Sequence, residues 1–407
     1  MANARLRAVF MRGGTSKAVM FRRNDLPADP KEWDPIFLEV MGSPDPNGWQ
    51  LDGMGGGISS LSKICVIGRS SRPDADLDYT FAQIGVRDTF VDYSANCGNM
   101  SSAVGPFALD EGLVAAPANG DAAIRIHNTN TSKIIVARFP VDHGALAATG
   151  DIEIDGVAGK AAPIRLEFLE PGGARTGKLL PTGSPCDDLD IGGLGVVKVS
   201  CVDAANPCVF VAASAVDRSG DELPDALDGD AVFLQRMEAI RGAASVKMGI
   251  APALDQARRM TGIPKVAMLS GPRAGRTLSG RELTAADADI WVRMISVGQP
   301  HRAVPITGAI CLAVATRIPG SIPAGLSRPN GPIRIAHPSG VTLVDAAVSV
   351  SGSGVAKAEY GAVYRSARRL FEGNVLYRTP ARRPSTGSVC AKCPGTVVPT
   401  LTLLLDG

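Results

Sequence analysis

The sequence predicts an α+β protein built as two similar lobes with a cleft between them, on three observations. Apolar runs in the first half are short and bounded by glycine and proline, of which there are 46 and 29 in 407 residues, and this reads as many strands joined by turns. Longer helical patterns enter in the second half, at 230–241 and 284–296, without the regular strand–helix alternation of a doubly wound sheet. The small-residue stretch 95–109 is echoed at 305–315, where a polar, glycine-containing start again opens into an Ala- and Val-rich helix.

Taken in order, a strand from Leu6 to Met11 meets the polar turn Arg12-Gly13-Gly14-Thr15-Ser16-Lys17 and a second strand, 18–21. A helix is expected over Trp33–Met41 after Pro30, then a loop through Pro44 and Gly48, then the glycine cluster 53–57 leading into a strand that begins near Lys63. Strands follow at 79–86, 89–93, 123–127, 133–139 and 196–202, then a helix at 230–241, a strand at 265–269, a helix at 284–296 and a small-residue helix within 305–315 stopped near Pro319-Gly320. The lobes are expected to span 1–190 and 191–378, and 379–407, basic and rich in Pro, Ser and Gly, is read as an appended tail.

Composition narrows the function. Forty-two Lys and Arg against 40 Asp and Glu leave a net charge of +2, which offers no field for nucleic acid. No apolar stretch approaches the roughly 20 residues of a spanning helix, and the N-terminus lacks a signal-peptide core, so a cytoplasmic enzyme without membrane contact is expected. The eight cysteines follow no disulfide spacing, and the four histidines lie far apart, so neither a disulfide framework nor a metal site is expected. Phosphate-loop, dinucleotide and GxSxG signatures are also missing.

Two residues carry chemical interest. In Asn96-Cys97-Gly98-Asn99, a cysteine at a helix start has its thiolate favoured by the helix dipole, and the adjacent glycine leaves backbone N–H groups open to an anion. The plainer reading makes Cys97 a small buried apolar side chain. Lys63, between Ser62 and Ile64 in an apolar strand, is either an edge lysine that blocks aggregation or a pocket lysine suited to act as a general base.

These residues, with Met11–Lys17, Met41-Gly42-Ser43-Pro44-Asp45, the 52–63 segment, Val104-Gly105-Pro106-Phe107-Ala108 and His337-Pro338-Ser339-Gly340 in that order, resemble the PrpF-type isomerases over about residues 5–378. The resemblance implies a diaminopimelate-epimerase-like fold: two pseudo-symmetric lobes, each a barrel-like sheet around a central helix, with the active site between them. It implies isomerisation of a C=C bond in a small unsaturated di- or tricarboxylate, without a cofactor. Lys63 and Cys97 match the residues implicated in proton transfer. Arg12, Ser16, Lys17, Asn96, Gly98, Asn99 and Met100 from the first lobe, and His301, Thr307, Gly308 and Ser339 from the second, become candidates to hold carboxylates. Epimerases of related build use one cysteine per lobe, whereas Pro305-Ile306-Thr307-Gly308 stands at the matching stretch here; this favours allylic isomerisation over amino-acid epimerisation. The expected substrate is 2-methylaconitate, with aconitate or 4-oxalomesaconate next, and the build is compatible with a homodimer.

Overall fold

A long hairpin opens the chain. Strands β1 (Ala2–Gly13) and β2 (Ser16–Arg22) pair antiparallel from Val9↔Met20 to Gly13↔Ser16, so only Gly14 and Thr15 form the turn and most of the polar motif is strand. Gly14 takes a left-handed φ of 50°, which favours glycine. The computed structural model describes residues 2–379 apart from 94–95, 116, 193–194, 261, 297, 329–330 and 353–355; the proposed tail, from residue 380, lies outside the described residues.

The first lobe continues with α1 (Trp33–Met41), β3 (Lys63–Arg69), β4 (Leu77–Ile84), α2 (Gly98–Asp110), β5 (Gly120–Asn128), β6 (Lys133–Asp142) and β7 (Ile164–Leu169). The second contains β8 (Gly195–Ala204), β9 (Asn206–Ala212), α3 (Ala231–Lys247), β10 (Lys265–Ser270), β11 (Ile290–Ser296), α4 (Ile306–Ala315), β12 (Ile333–His337), β13 (Gly340–Val350) and β14 (Ala356–Arg365).

Seven strands in each lobe pair in the same succession. From β1 to β7 the neighbours run antiparallel, parallel, antiparallel, parallel, antiparallel, antiparallel. From β8 to β14 the succession is identical. Each parallel step needs a crossover, and the helices fall in matching places: α1 and α3 at the first crossover, α2 and α4 at the second. The sequence echo is thus a structural repeat. β7 joins the lobes by pairing with both β6 and β14, and a last strand, β15 (Ala367–Thr379), pairs along the whole of β1 and packs against α2.

Strand alternation decides which side chains meet the central helices. In β3, Cys65 and Ile67 join the core around α2, while Ile64 and Val66 face the cluster containing Trp33 and Phe37 of α1. Small residues let the sheet close on the helix. A Cβ on Gly105 of α2 would come within 2.6 Å of the Phe139 ring, and around α4 the small residue is on the strand, where a Cβ on Gly361 would come within 2.4 Å of Ile310.

One expected element is corrected. Residues 284–296 are a turn followed by β11, not a helix. Thr284 donates its backbone N–H and its hydroxyl to the Asp287 carboxylate, each at 2.7 Å, which closes the turn. Beyond it, Ile290, Val292 and Met294 join the core around α4, while Trp291 faces a separate cluster, a period of two.

Candidate active site

The N-termini of α2 and α4 meet. Gly98, the first residue of α2, lies against Ile306, the first residue of α4, so closely that a Cβ on Gly98 would be 3.0 Å from two Ile306 side-chain carbons. The preceding residues are Cys97 and Pro305, and neither caps its helix through a side chain. The first intrahelical bonds are Ser101 N–H to Cys97 O at 2.9 Å and Ala309 N–H to Pro305 O at 2.8 Å, so the N–H groups of 98–100 and 306–308 have no acceptor within their helices. Two positive helix ends facing one another favour an anion between them.

Lys63 approaches from β3. Strand parity puts it on the face of Cys65, toward α2, where it is 7% exposed. Its ammonium nitrogen donates to Gln83 Oε1 and sits 5.0 Å from the Phe81 ring centroid. The Gln83 amide nitrogen donates to Ser62 O at 2.9 Å and Ser59 O at 3.0 Å, which turns the carbonyl oxygen toward Lys63. Among the described residues, the partners of Lys63 are thus an amide and an aromatic ring.

Cys97 is half-buried against the same core. Its carbonyl accepts from both the N–H and the hydroxyl of Ser101, whose hydroxyl also donates to Asn96 Oδ1 at 3.2 Å. Beneath it, the Cys65 thiol donates to Tyr79 Oη across 3.8 Å. Burial, then the nearby Cys97, pushes the Cys65 thiol well above its ordinary value; burial, then Cys65 and Cys97, does the same to the Tyr79 phenol. Both stay neutral.

The other expected residues divide. Asn99 anchors the first turn of α2: its side-chain nitrogen donates to Thr15 Oγ1 at 3.1 Å and its Oδ1 accepts from Arg365 Nε at 3.2 Å. Ser16 is buried at the start of β2, and Met100 is buried in the core, leaving only its backbone to face outward. Arg12 Nη1 donates to Gly14 O, Ser366 O and Ser366 Oγ at 2.9–3.2 Å, binding the hairpin turn to the bend before β15. Lys17 shares its strand face with Val19 and Phe21, away from α2, with its nitrogen 5.6 Å from the Phe10 ring centroid.

In the second lobe, Thr307 and Gly308 lie in the first turn of α4, and His301 binds Met294 O through its N–H at 2.8 Å. Ser339 donates to Arg302 O at 2.6 Å, joining the β12–β13 turn to the segment before α4. His301 Nε2 is buried without a partner, and burial, then Lys265, lowers the imidazole's pKa. Neither Gln83 nor Arg365 stands out in the sequence. Gln83 is found only from the β3–β4 register that pairs it with Lys63. Arg365 is a nearly buried cation whose pKa burial lowers to about 10, so it stays charged at neutral pH beside the first turn of α2.

The sequence signature described as PrpF protein matches residues 3–378. The chain belongs to the PrpF family. It is 41% identical over 376 residues to the 3-methylitaconate isomerase of Eubacterium barkeri, covering 91% of this chain and 97% of that one. It is 40% identical over 380 residues to the 2-methyl-aconitate isomerase of Cupriavidus necator, covering 90% and 95%. A solved methylitaconate-delta-isomerase superposes with a TM-score of 0.85 at 40% identity, covering 93% of this chain and 96% of its own. This PrpF protein is therefore an isomerase. No described helix is long and apolar enough to cross a membrane.

Proposed function

We propose that the protein moves or reorients the C=C bond of a small unsaturated tricarboxylate by allylic proton transfer, with 2-methylaconitate as the substrate. The reading is carried by one arrangement: a buried lysine bound to an amide on the α2 face of its strand, and a half-buried cysteine at the meeting point of two uncapped helix N-termini. An allylic C–H beside a carboxylate is a weak acid whose removal leaves a dienolate. Charge develops on oxygens, where N–H dipoles and cations lower the barrier most. Lys63 takes the proton from one carbon and returns it to the other end of the allyl system; Cys97 stands as the partner acid. Rotation about the bond that has lost its double character gives the cis–trans change.

Sequence identity does not choose the substrate, because relatives named for methylitaconate and for 2-methylaconitate match equally well. The supply of anion-binding groups favours a polycarboxylate: two uncapped helix N-termini meet, and the Arg365 guanidinium donates to Asn99 in the first turn of α2. The purified protein in D₂O is offered cis-aconitate, trans-aconitate, 2-methylaconitate and 4-oxalomesaconate separately and followed by proton NMR. Deuterium uptake with bond movement in 2-methylaconitate is expected. Uptake in one of the others reassigns the substrate, and no uptake in any of them defeats the reading.

A further inference from the structure

The internal repeat pairs residues that the sequence alone keeps apart. Lys63 is the first residue of β3, the strand after the first crossover helix of its lobe, and Lys265 is the first residue of β10, which has that place in the other lobe. Both strands run parallel to their predecessors and antiparallel to their successors. Parity points both lysines inward: Cys65 and Ile67 follow Lys63 on the face of α2, and Ala267 and Leu269 follow Lys265 on the face of α4. The flanking sequences Ser-Lys-Ile-Cys-Val-Ile and Pro-Lys-Val-Ala-Met-Leu carry the same pattern.

The surroundings of Lys265 place it at the start of α4. Ala267 pairs with Met294, whose side chain covers Gly308 in the first turn of that helix and whose carbonyl holds His301. Lys265 acts electrostatically on His301, whose Nε2 is buried without a partner. Buried nitrogens are rarely left unsatisfied, so this one has a hydrogen bond still to make. The proton-transfer role does not carry over. The residue in the position of Cys97 is Pro305, which has no acid hydrogen, and Cys311, three residues past Gly308, is spent in the core against Val202 O.

We propose that Lys265, with His301 Nε2, is the second lobe's carboxylate-binding pair, holding the end of the substrate remote from the carbon that Lys63 deprotonates. The proposal rests on the polycarboxylate reading above. It makes the repeat functional: one lysine of the pair transfers the proton and the other binds.

The test uses the full chain. Calorimetric titration with tricarballylate, a saturated tricarboxylate that cannot isomerise, measures binding separately from catalysis. Lys265→Met is expected to raise Kd roughly 10- to 100-fold, as loss of one charge-assisted hydrogen bond does. It is expected to raise KM for the turned-over substrate similarly with a smaller effect on kcat, and Lys265→Arg restores most of the affinity. A purely structural lysine would not show that split or that rescue. Unchanged Kd and KM in Lys265→Met overturn the assignment, and so does a fall confined to kcat. If that variant fails to fold, Lys265→Gln is judged by the same two results. A wild type that binds tricarballylate but exchanges no deuterium defeats the substrate reading and leaves the titration to decide Lys265.

Discussion

The two lobes share one strand order and differ where their central helices begin. At the start of α2 stand Cys97 and Gly98, with Lys63 and Gln83 alongside; at the start of α4 stand Pro305 and Ile306, with Lys265 and His301 alongside. The repeated part is set by packing, which constrains both halves equally. The divergent part is the start of each central helix, where one half has a thiol and an amide-bound lysine and the other has a proline. The proposed reaction asks for this asymmetry: removal and return of one proton need an acid–base pair on one side and carboxylate donors on the other.

Replacing the first lobe's lysine should break this asymmetry most completely. Lys63→Met is expected to reduce deuterium exchange by about 100- to 10,000-fold, the usual worth of a general base, while tricarballylate still binds. Exchange at the wild-type rate would remove Lys63 from the mechanism.

Gln83→Glu should follow in size. A carboxylate in place of the amide favours the charged form of the neighbouring lysine, so the rising limb of kcat/KM against pH is expected to move to higher pH. Activity lost equally at every pH would show that Gln83 only supports the strand.

Packing should respond alike in both lobes. Gly105→Ala and Gly361→Ala each force a methyl group against a neighbour, Phe139 in one and Ile310 in the other, and each should cost roughly 1–3 kcal/mol in urea unfolding. A large loss in only one would show that the two cores are not equivalent.

The smallest effect at neutral pH concerns His337, at the end of β12. Its Nδ1 accepts from Ser339 N–H at 3.2 Å, its Nε2 lies 2.9 Å from Thr342 Oγ1, and burial, then Arg293 and Arg365, lower its pKa to about 3. The folded state keeps it neutral while the unfolded chain takes up a proton near pH 6.5. Its contribution is complete above that pH and is lost as pH falls from 6.5 to about 3, at about 1.4 kcal/mol per pH unit. Urea midpoints of wild type and His337→Gln should therefore diverge in slope below pH 6.5 and run parallel above it.

Much of the fold was legible because local chemistry marks it. Helix α1 begins and ends at Trp33 and Met41 as its pattern indicates, and Lys63 opens its strand. The 284–296 segment was misread because Ile290, Trp291, Val292 and Met294 form an apolar run too short to separate a period of two from one of 3.6. Of the candidate site, Cys97, Asn99 and the helix starts were legible as a thiol and polar groups before small-residue helices. Lys17 was misplaced because a tight turn brings it close in sequence while strand parity sends it to the opposite face.

By itself the sequence determined the chemistry on offer: a lysine at one strand start, a cysteine at one helix start, a proline where a second thiol would stand, and enough small residues to let two sheets close on two helices. The tertiary structure decided which of these groups act together. Register pairs Gln83 with Lys63, the β14–β15 bend brings Arg365 to Asn99 across 266 residues, and the contact of Gly98 with Ile306 brings two separate helix ends together. Hydrogen bonds and electrostatic fields act through space over a few ångströms, and only the folded chain sets which residues lie within them.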